Sequence, residues 1–467
     1  MQGKILIVDA IATNRVVLKV KLASAFYEVL QASSLVEAAK LAREHAPDLV
    51  ISALSLPDGD AAALCTQLKA FPLTAQVPIL AIGAKPHADS RMATLEAGVH
   101  DVLLKPVDDT LLLGRVRSLI RAHNAVAEWQ MRDDTSRALG LAEPPTQFGP
   151  PGRVVMVCTD ATRGHSWVTR LRSQIRCELS LSDPADALRA TLSQSTPDLF
   201  VLTLPSDPVA AIDTLRLIPA IRANARTRHA GLLVLQTRPD ASLSANALDL
   251  GADDLMTDGF EAEEMALRLK ALLRRKRIGD QMRATVQSGL KAAVFDPLTG
   301  LHNRRYAMPH LARIAEYSLS TGRSFAVMLA DMDHFKQVND LYGHASGDSV
   351  LVDAAQRLRS TVRARDLIAR IGGEEFLIVM PGTSLIEARQ AARRLCHKIA
   401  GTPFSIPGHT RPIDVTVSIG LYVAEMKERS ATQSLGTAEA LLDQADKALY
   451  AAKMDGRNRV TLARPAA

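Results

Sequence analysis

Short apolar runs alternate with amphipathic stretches along residues 4–122. KILIVDA, PDLVISAL, PILAIG and DVLLKPV have the continuous apolar character of buried strands. SLVEAAKLAREHA and DAAALCTQLKAF space their apolar residues as helices do. Strand–helix alternation predicts a doubly wound parallel sheet covered on both faces. The pattern then repeats: GRVVMVCTD echoes GKILIVDA, TPDLFVLTLP echoes APDLVISALSLP, and ALDLGADDLMTDGFEAEE echoes TLEAGVHDVLLKPVDD. Residues 1–125 and 152–275 are therefore expected to be two copies of one α/β domain. LAEPPTQFGPPG is rich in Pro and Gly and marks a linker within 126–151. Helical spacing over 260–295, paused at Gly279, predicts a long helix whose part 276–295 connects the second copy to the remainder of the chain.

From residue 296 the pattern changes. SFAVMLADMDHFKQVND carries an apolar strand over 324–330 that ends in Asp331, and SGDSVLVDAAQRLRSTV is an amphipathic helix. RDLIARIGGEEFLIVMP predicts a β-hairpin, SLIEARQAARRLCHKIA a helix, and IDVTVSIGLYV a strand. A last helix and a short end strand lie in AEALLDQADKALYAAKMDGRNRV. This order predicts an α+β domain over 296–467 with mostly antiparallel neighbours.

Composition narrows the class. The 467 residues are 47% hydrophobic and 23% charged, which describes a folded chain. No apolar run reaches the ~18 residues of a membrane span, and no signal peptide precedes the first strand. The four cysteines lack metal-ligand spacing and are expected to be reduced thiols, which points to the cytoplasm. The net charge of +6 is mild. RRKR at 274–277 could touch nucleic acid or lipid, but without interleaved aromatics it is expected to be a solvated helix end, and no nucleic-acid partner is expected.

The chemistry concentrates in RIGGEEF. A strand ending in Asp331 and a turn presenting Glu374 and Glu375 can bring carboxylates together, and oxygen-only ligands suit Mg²⁺ or Mn²⁺. Gly372 and Gly373 have no Cβ, so a ligand can approach their backbone. With Lys336 nearby, the set points to phosphoryl or nucleotidyl transfer; a solvated acidic hairpin is the alternative.

RIGGEEF resembles the signature of GGDEF-domain diguanylate cyclases in its glutamate variant. The resemblance spans DPLTGLHNRR to KMDGRNRV and includes DMDHFKQVND, GHASGD and RARD. It implies a cyclase-palm-like α+β domain that condenses two GTP into cyclic di-GMP and two pyrophosphates. It also implies two Mg²⁺ (or Mn²⁺) per active site, on Asp331, Glu374, Glu375 and the carbonyl of Met332. Glu374 would be the base for the 3′-hydroxyl, and Lys336 would stabilise the reacting phosphoryl. Asn339 and Asp348 would read guanine, with His344 and Gly372 in the same substrate region, and Lys453 and Arg457 would hold phosphates. Arg363 and Asp366 match the RxxD motif of the inhibitory cyclic di-GMP site, with Arg394 as a further contact. One domain binds one GTP, so the resemblance implies a homodimer.

The two repeated copies resemble receiver domains of response regulators, which are flavodoxin-like in topology. The whole order resembles the PleD-type response-regulator cyclases. In receivers an aspartate ending the third strand accepts phosphate. Here the first copy keeps Asp9, Lys105 and Pro106 but has Ala53 at the acceptor position and Gly83 where a hydroxyl is expected. The second copy has Thr203 at the acceptor position and Asp258 at the lysine position. Neither Ala nor Thr can form an acyl phosphate. Both copies are expected to act in dimerisation or in docking a protein partner; Lys105 has a plain surface or salt-bridge role as its alternative. Two other readings of the whole remain open: a catalytically silent cyclic di-GMP receptor working through Arg363 and Asp366, and an adaptor.

Overall fold

In the first copy the three inner strands of the sheet are mostly apolar on both sides, and a computed structural model shows why. It describes residues 3–84, 88–138, 151–187, 196–406, 408–409, 411–425 and 436–463. The copy runs β1 (Lys4–Val8), α1 (Ala12–Ser24), β2 (Glu28–Ala32), α2 (Leu35–His45) and β3 (Leu49–Ala53). A small ribbon of β4 (Ser55–Leu56) and β5 (Gly59–Asp60) leads to α3 (Ala61–Lys69), β6 (Ile79–Gly83), α4 (Ala88–Glu96), β7 (Asp101–Leu104) and α5 (Asp109–Ala138). The sheet is parallel, in order β2-β1-β3-β6-β7. Along β1, Leu6 and Val8 enter one core and Ile5 and Ile7 the other. Both faces are covered, so the strand reads as an unbroken apolar run.

The second copy repeats this plan with β8 (Arg153–Val157), α6 (Ala161–Arg172), β9 (Glu178–Ser182), α7 (Pro184–Ala187) and β10 (Leu199–Leu204). It continues with α8 (Pro208–Leu215), α9 (Leu217–Ala223), β11 (Gly231–Gln236), α10 (Ala241–Leu250), β12 (Asp254–Met256) and α11 (Ala262–Val294). Its parallel sheet has the equivalent order β9-β8-β10-β11-β12.

Two details differ from the sequence reading. β2 was not among the expected strands; it lies at the sheet edge and is only partly buried, so its EVLQA pattern is weak. α5 continues to Ala138, so the first part of the expected linker is helical, and 139–150 lie outside the described residues. Both copies belong to one packing unit, Met1–Val286.

A buried ionic cluster lies where they meet, beside the packing of α5 on α10. Arg115 on α5 pairs with Asp101 at 2.6 Å and with Asp254 at 2.8 Å. Arg268 on α11 pairs with the same two aspartates, at 2.7 and 2.8 Å, and with Glu264 at 2.8 Å. Arg91 on α4 closes the set on Glu264 at 3.1 Å. Asp101 and Arg115 in the first copy occupy the places of Asp254 and Arg268 in the second, so a local pseudo-twofold axis relates the pairs. Three arginines meet three carboxylates, and the shared aspartates leave no buried charge uncompensated. Burial pushes the Asp101 carboxyl up, but Arg115 and Arg268 overcome this and hold it far below the usual carboxylate range.

The remaining unit, Gln287–Ala467, holds the third domain. It runs β13 (His302–Asn303), α12 (Arg304–Thr321), β14 (Phe325–Met332), α13 (Phe335–Tyr342), α14 (His344–Thr361) and β15 (Leu367–Arg370). β16 (Glu375–Pro381), α15 (Leu385–Ala400), β17 (Val417–Ala424), α16 (Ala438–Met454) and β18 (Val460–Leu462) complete it. The sheet order is β13-β15-β16-β14-β17-β18, antiparallel through its centre and parallel at both edge pairs. β14 is central and wholly buried; Ala326, Met328 and Ala330 face one core, Phe325, Val327 and Leu329 the other. Gly420 on β17 permits a close approach of α16, because a Cβ there would overlap the backbone of Ala445 and Leu449. That approach sets where the C-terminal turn of α16 lies.

Candidate active site

The site forms where β14 ends and the β15–β16 hairpin turns. Antiparallel pairing puts Asp331 opposite Glu375, and the amide of Met332 donates to the carbonyl of Glu374 at 3.3 Å. Asp331, Met332, Glu374 and Glu375 are thus brought together by main-chain register. From the other side α16 delivers Lys453, whose Nζ lies 2.8 Å from Asp331 Oδ2.

The carboxylates repel one another. Burial pushes Asp331 above its ordinary range, more than Lys453 pulls it back, and Asp333 adds to the push. Burial and then Asp331 raise Glu374, with Glu375 contributing. Glu375 is raised by burial, Asp331 and Asp446. Such a set is short of positive charge. It is a hard, all-oxygen donor set of the kind Mg²⁺ takes with one or two carboxylates plus substrate phosphates. Among the described residues no three His, Cys, Asp or Glu side chains converge as a ready-made cage. The residues fit a cation completed by phosphate rather than one held by protein alone.

The hairpin turn is braced by residues the sequence reading did not single out. Arg370 donates through Nε and Nη2 to the carbonyl of Gly373 at 3.0 and 2.7 Å, and through Nη1 to Asp296 at 3.1 and 3.2 Å. Asp296 also accepts from the amide and hydroxyl of Thr299. DPLT and RIGG are therefore one device. The two glycines differ. The space a Cβ would need at Gly372 is taken by the Glu375 carboxylate, whereas Gly373 faces open space.

Asp333, also missed, is buried and accepts from Thr416 Oγ1 and Ser418 Oγ, each at 2.7 Å, and from the amide of Asn458 at 3.0 Å. It secures the turn after α16, where Gly456, Arg457 and Asn458 all have positive φ. Arg457 is exposed on that turn. Lys336 is exposed at the first turn of α13, after His334 turns the chain with φ 58°. Asn339 is half-buried, and its side chain lies over Gly347, where a Cβ would overlap it. His344 and Asp348 are exposed on the first turns of α14.

Arg363 and Asp366 lie between α14 and β15. One oxygen of Asp366 accepts from the amide of Arg363 at 2.9 Å; the other is buried without a hydrogen-bond partner. Arg363 is exposed, as is Arg394 on α15.

In the first copy, Asp9 accepts from the amide of Ile11 and from Asn14, both at 2.9 Å, and Lys105 Nζ lies 3.9 Å away. Ala53 closes β3 beside them. At Gly83 a Cβ would overlap Leu54, so the wall is closed to the missing hydroxyl. In the second copy Thr203 is buried and its hydroxyl donates to the carbonyl of Val157, while Asp258 is exposed.

Residues 293–459 match the family described as diguanylate cyclase, GGDEF domain, and residues 5–117 match the response regulator receiver domain. Response regulator PleD of Caulobacter vibrioides is 35% identical over 463 residues, which cover 98% of this chain and 99% of PleD. Diguanylate cyclase DgcP of Pseudomonas aeruginosa is 37% identical over 223 residues, covering 47% of this chain and 32% of DgcP. A crystal structure of the GGDEF domain of DgcB from Caulobacter crescentus in complex with c-di-GMP is 29% identical and covers 37% of this chain and 94% of its own, with a TM-score of 0.34.

Proposed function

Since this chain belongs to the PleD family of response regulators and is a diguanylate cyclase, we propose that it joins two GTP into cyclic di-GMP at a homodimer interface. Each 3′-oxygen attacks the α-phosphorus of the other nucleotide, the bond to the bridging oxygen breaks, and pyrophosphate leaves. The observation that carries this reading is the meeting of Asp331, Glu374 and Lys453 at the β14 end.

Glu374, at the hairpin turn beside Asp331, takes the 3′-hydroxyl proton. Two divalent cations bound by Asp331, Glu374, Glu375 and the Met332 carbonyl would screen the triphosphate and polarise the reacting phosphoryl. Lys453, now on Asp331, turns to phosphate when substrate arrives, together with Arg457. Lys336 stabilises charge on the reacting phosphoryl. Asn339 and Asp348 orient guanine, with His344 and Gly372 at the same substrate. Arg370 and Asp333 are positioning residues.

Product inhibition is assigned to Arg363, Asp366 and Arg394. The unpartnered buried oxygen of Asp366 supports this, because an orphaned acceptor in a native fold favours a missing donor such as a guanine N–H. The receiver copies act in dimerisation or partner docking, not as phospho-switches, since Ala53 and the engaged hydroxyl of Thr203 offer no carboxylate. No helix among the described residues is long and apolar enough to cross a membrane; we place the enzyme in the cytoplasm. The test is the rate per chain against enzyme concentration at saturating GTP. A rate that rises and then saturates supports the paired site; a constant rate down to full dissociation contradicts it.

A further inference from the structure

The basic run at 274–277 acquires a context in the fold. A cavity of about 200 Å³ opens on the second copy between the turn from α9 to β11 and the helix α11. Arg222, Arg228, His229, Arg275, Lys276 and Arg283 line it, with Asp253 as the acid of the wall. Asp280 and Asp198 reach Lys276 from outside the wall, and Asp280 also meets Arg283. Five permanent cations thus face three carboxylates, leaving an excess of positive charge.

The cations are not equivalent. Arg222 is consumed by structure, since it donates to the carbonyls of Arg228, Ala230 and Gly251 and to Asp253. Arg275 shares Asp253. Arg228 is exposed and has no ion-pair partner among the described residues. Burial first, then Arg283, Arg228 and Lys276, hold the His229 imidazole below its ordinary value, against an opposite pull from Asp280. Gly279 adds to the opening; a Cβ there would touch only the Arg283 guanidinium. Leu272, Ile278 and Met282 supply an apolar remainder.

We propose that this cavity binds a phosphate dianion, free or as the head of a small phosphomonoester. Guanidinium groups match phosphate oxygens in geometry as well as charge, and an excess near two charges suits a dianion. The cavity is smaller than the ~300–1,000 Å³ that holds drug-sized ligands, so it admits a phosphate with a short organic tail. Arg228 and His229 come from the turn and Arg283 from α11, so the ligand ties the turn to that helix.

The test is isothermal titration calorimetry on the full chain at constant ionic strength, without divalent metal or nucleotide. The probes are inorganic phosphate and glycerol 3-phosphate, against wild type, Arg228→Glu, Arg283→Glu and, as a control, Lys40→Ala on the exposed face of α2. The proposal expects saturable binding of at least one probe, weakened about tenfold or more by either charge reversal and unchanged in Lys40→Ala. Binding of both probes identifies free phosphate as sufficient; binding of glycerol 3-phosphate alone identifies an ester. Circular dichroism checks the fold of each variant. No saturable binding, or binding indifferent to both reversals, overturns the proposal.

Discussion

Replacing Arg370 by Ala should damage the active site without touching a residue assigned to substrate. Its guanidinium spans two partners, the Gly373 carbonyl and the Asp296 carboxylate, with both charged side chains about five-sixths buried at 15% and 17% exposure. A hydrogen bond to a charged group is worth about 1.5–3 kcal/mol. Removing both arms leaves Asp296 its Thr299 partners, so the loss of stability should be about 2–4 kcal/mol. The larger effect is positional. The Gly372–Gly373 turn has no side chains of its own, and the Arg370 fork is what fixes its carbonyl. A misplacement of ~1 Å at a reacting group can lower a rate by ~100-fold. We expect kcat to fall by about that factor while KM for GTP changes far less, the pattern of an interaction used in the transition state. Arg370→Lys should recover little, because an ammonium cannot serve both acceptors as a planar fork does. Cyclic di-GMP and pyrophosphate are quantified by chromatography at saturating Mg²⁺, alongside thermal unfolding. Wild-type kcat in Arg370→Ala, or a loss confined to KM, would refute the reasoning.

Asp101→Asn should lower the unfolding free energy of the two-copy unit by about 3–5 kcal/mol, the usual effect of breaking a buried ionic set on one side, as read by urea denaturation. The same depressed carboxyl makes this unit acid-sensitive. Its contribution is complete above the unfolded-state pKa near 4 and declines as pH falls toward the lower folded value, which thermal melts between pH 5 and 2 would detect. The raised carboxyls act with the opposite sign. In chelator, Asp331, Glu374 and Glu375 bind protons more tightly folded than unfolded, so stability decreases as pH rises through their folded values. Glu374→Gln should therefore raise the melting temperature of the metal-free protein at neutral pH while abolishing turnover; a lowered one counts against the repulsion. Arg363→Ala should relieve inhibition by added cyclic di-GMP by about tenfold or more with the uninhibited rate retained; unchanged inhibition removes the assignment.

The sequence disclosed what is local and periodic. β14 ending in Asp331 and the hairpin carrying Glu374 and Glu375 follow from an apolar run and a glycine turn, and both copies of the α/β fold follow from strands buried on two faces. What it hid is non-local. Nothing in RIGG says that Arg370 reaches Asp296, 74 positions earlier, or that Arg268 meets Asp101 across 167 positions. Asp333 sits one residue past the noticed DM, yet its three donors arrive from 416, 418 and 458. β2 escaped because an edge strand needs only a weak apolar pattern. α12 escaped because Pro309 interrupts a helix that tertiary packing of Ala307, Leu311 and Ile314 sustains.

The most direct measurement tracks GTP and Mg²⁺ through the purified full chain, wild type beside Asp331→Asn, by chromatography of nucleotide and assay of pyrophosphate. The account predicts one cyclic di-GMP for every two pyrophosphates from wild type, and a rate lower by about a thousandfold or more in Asp331→Asn. No cyclic di-GMP from wild type, or undiminished formation by Asp331→Asn, would contradict it.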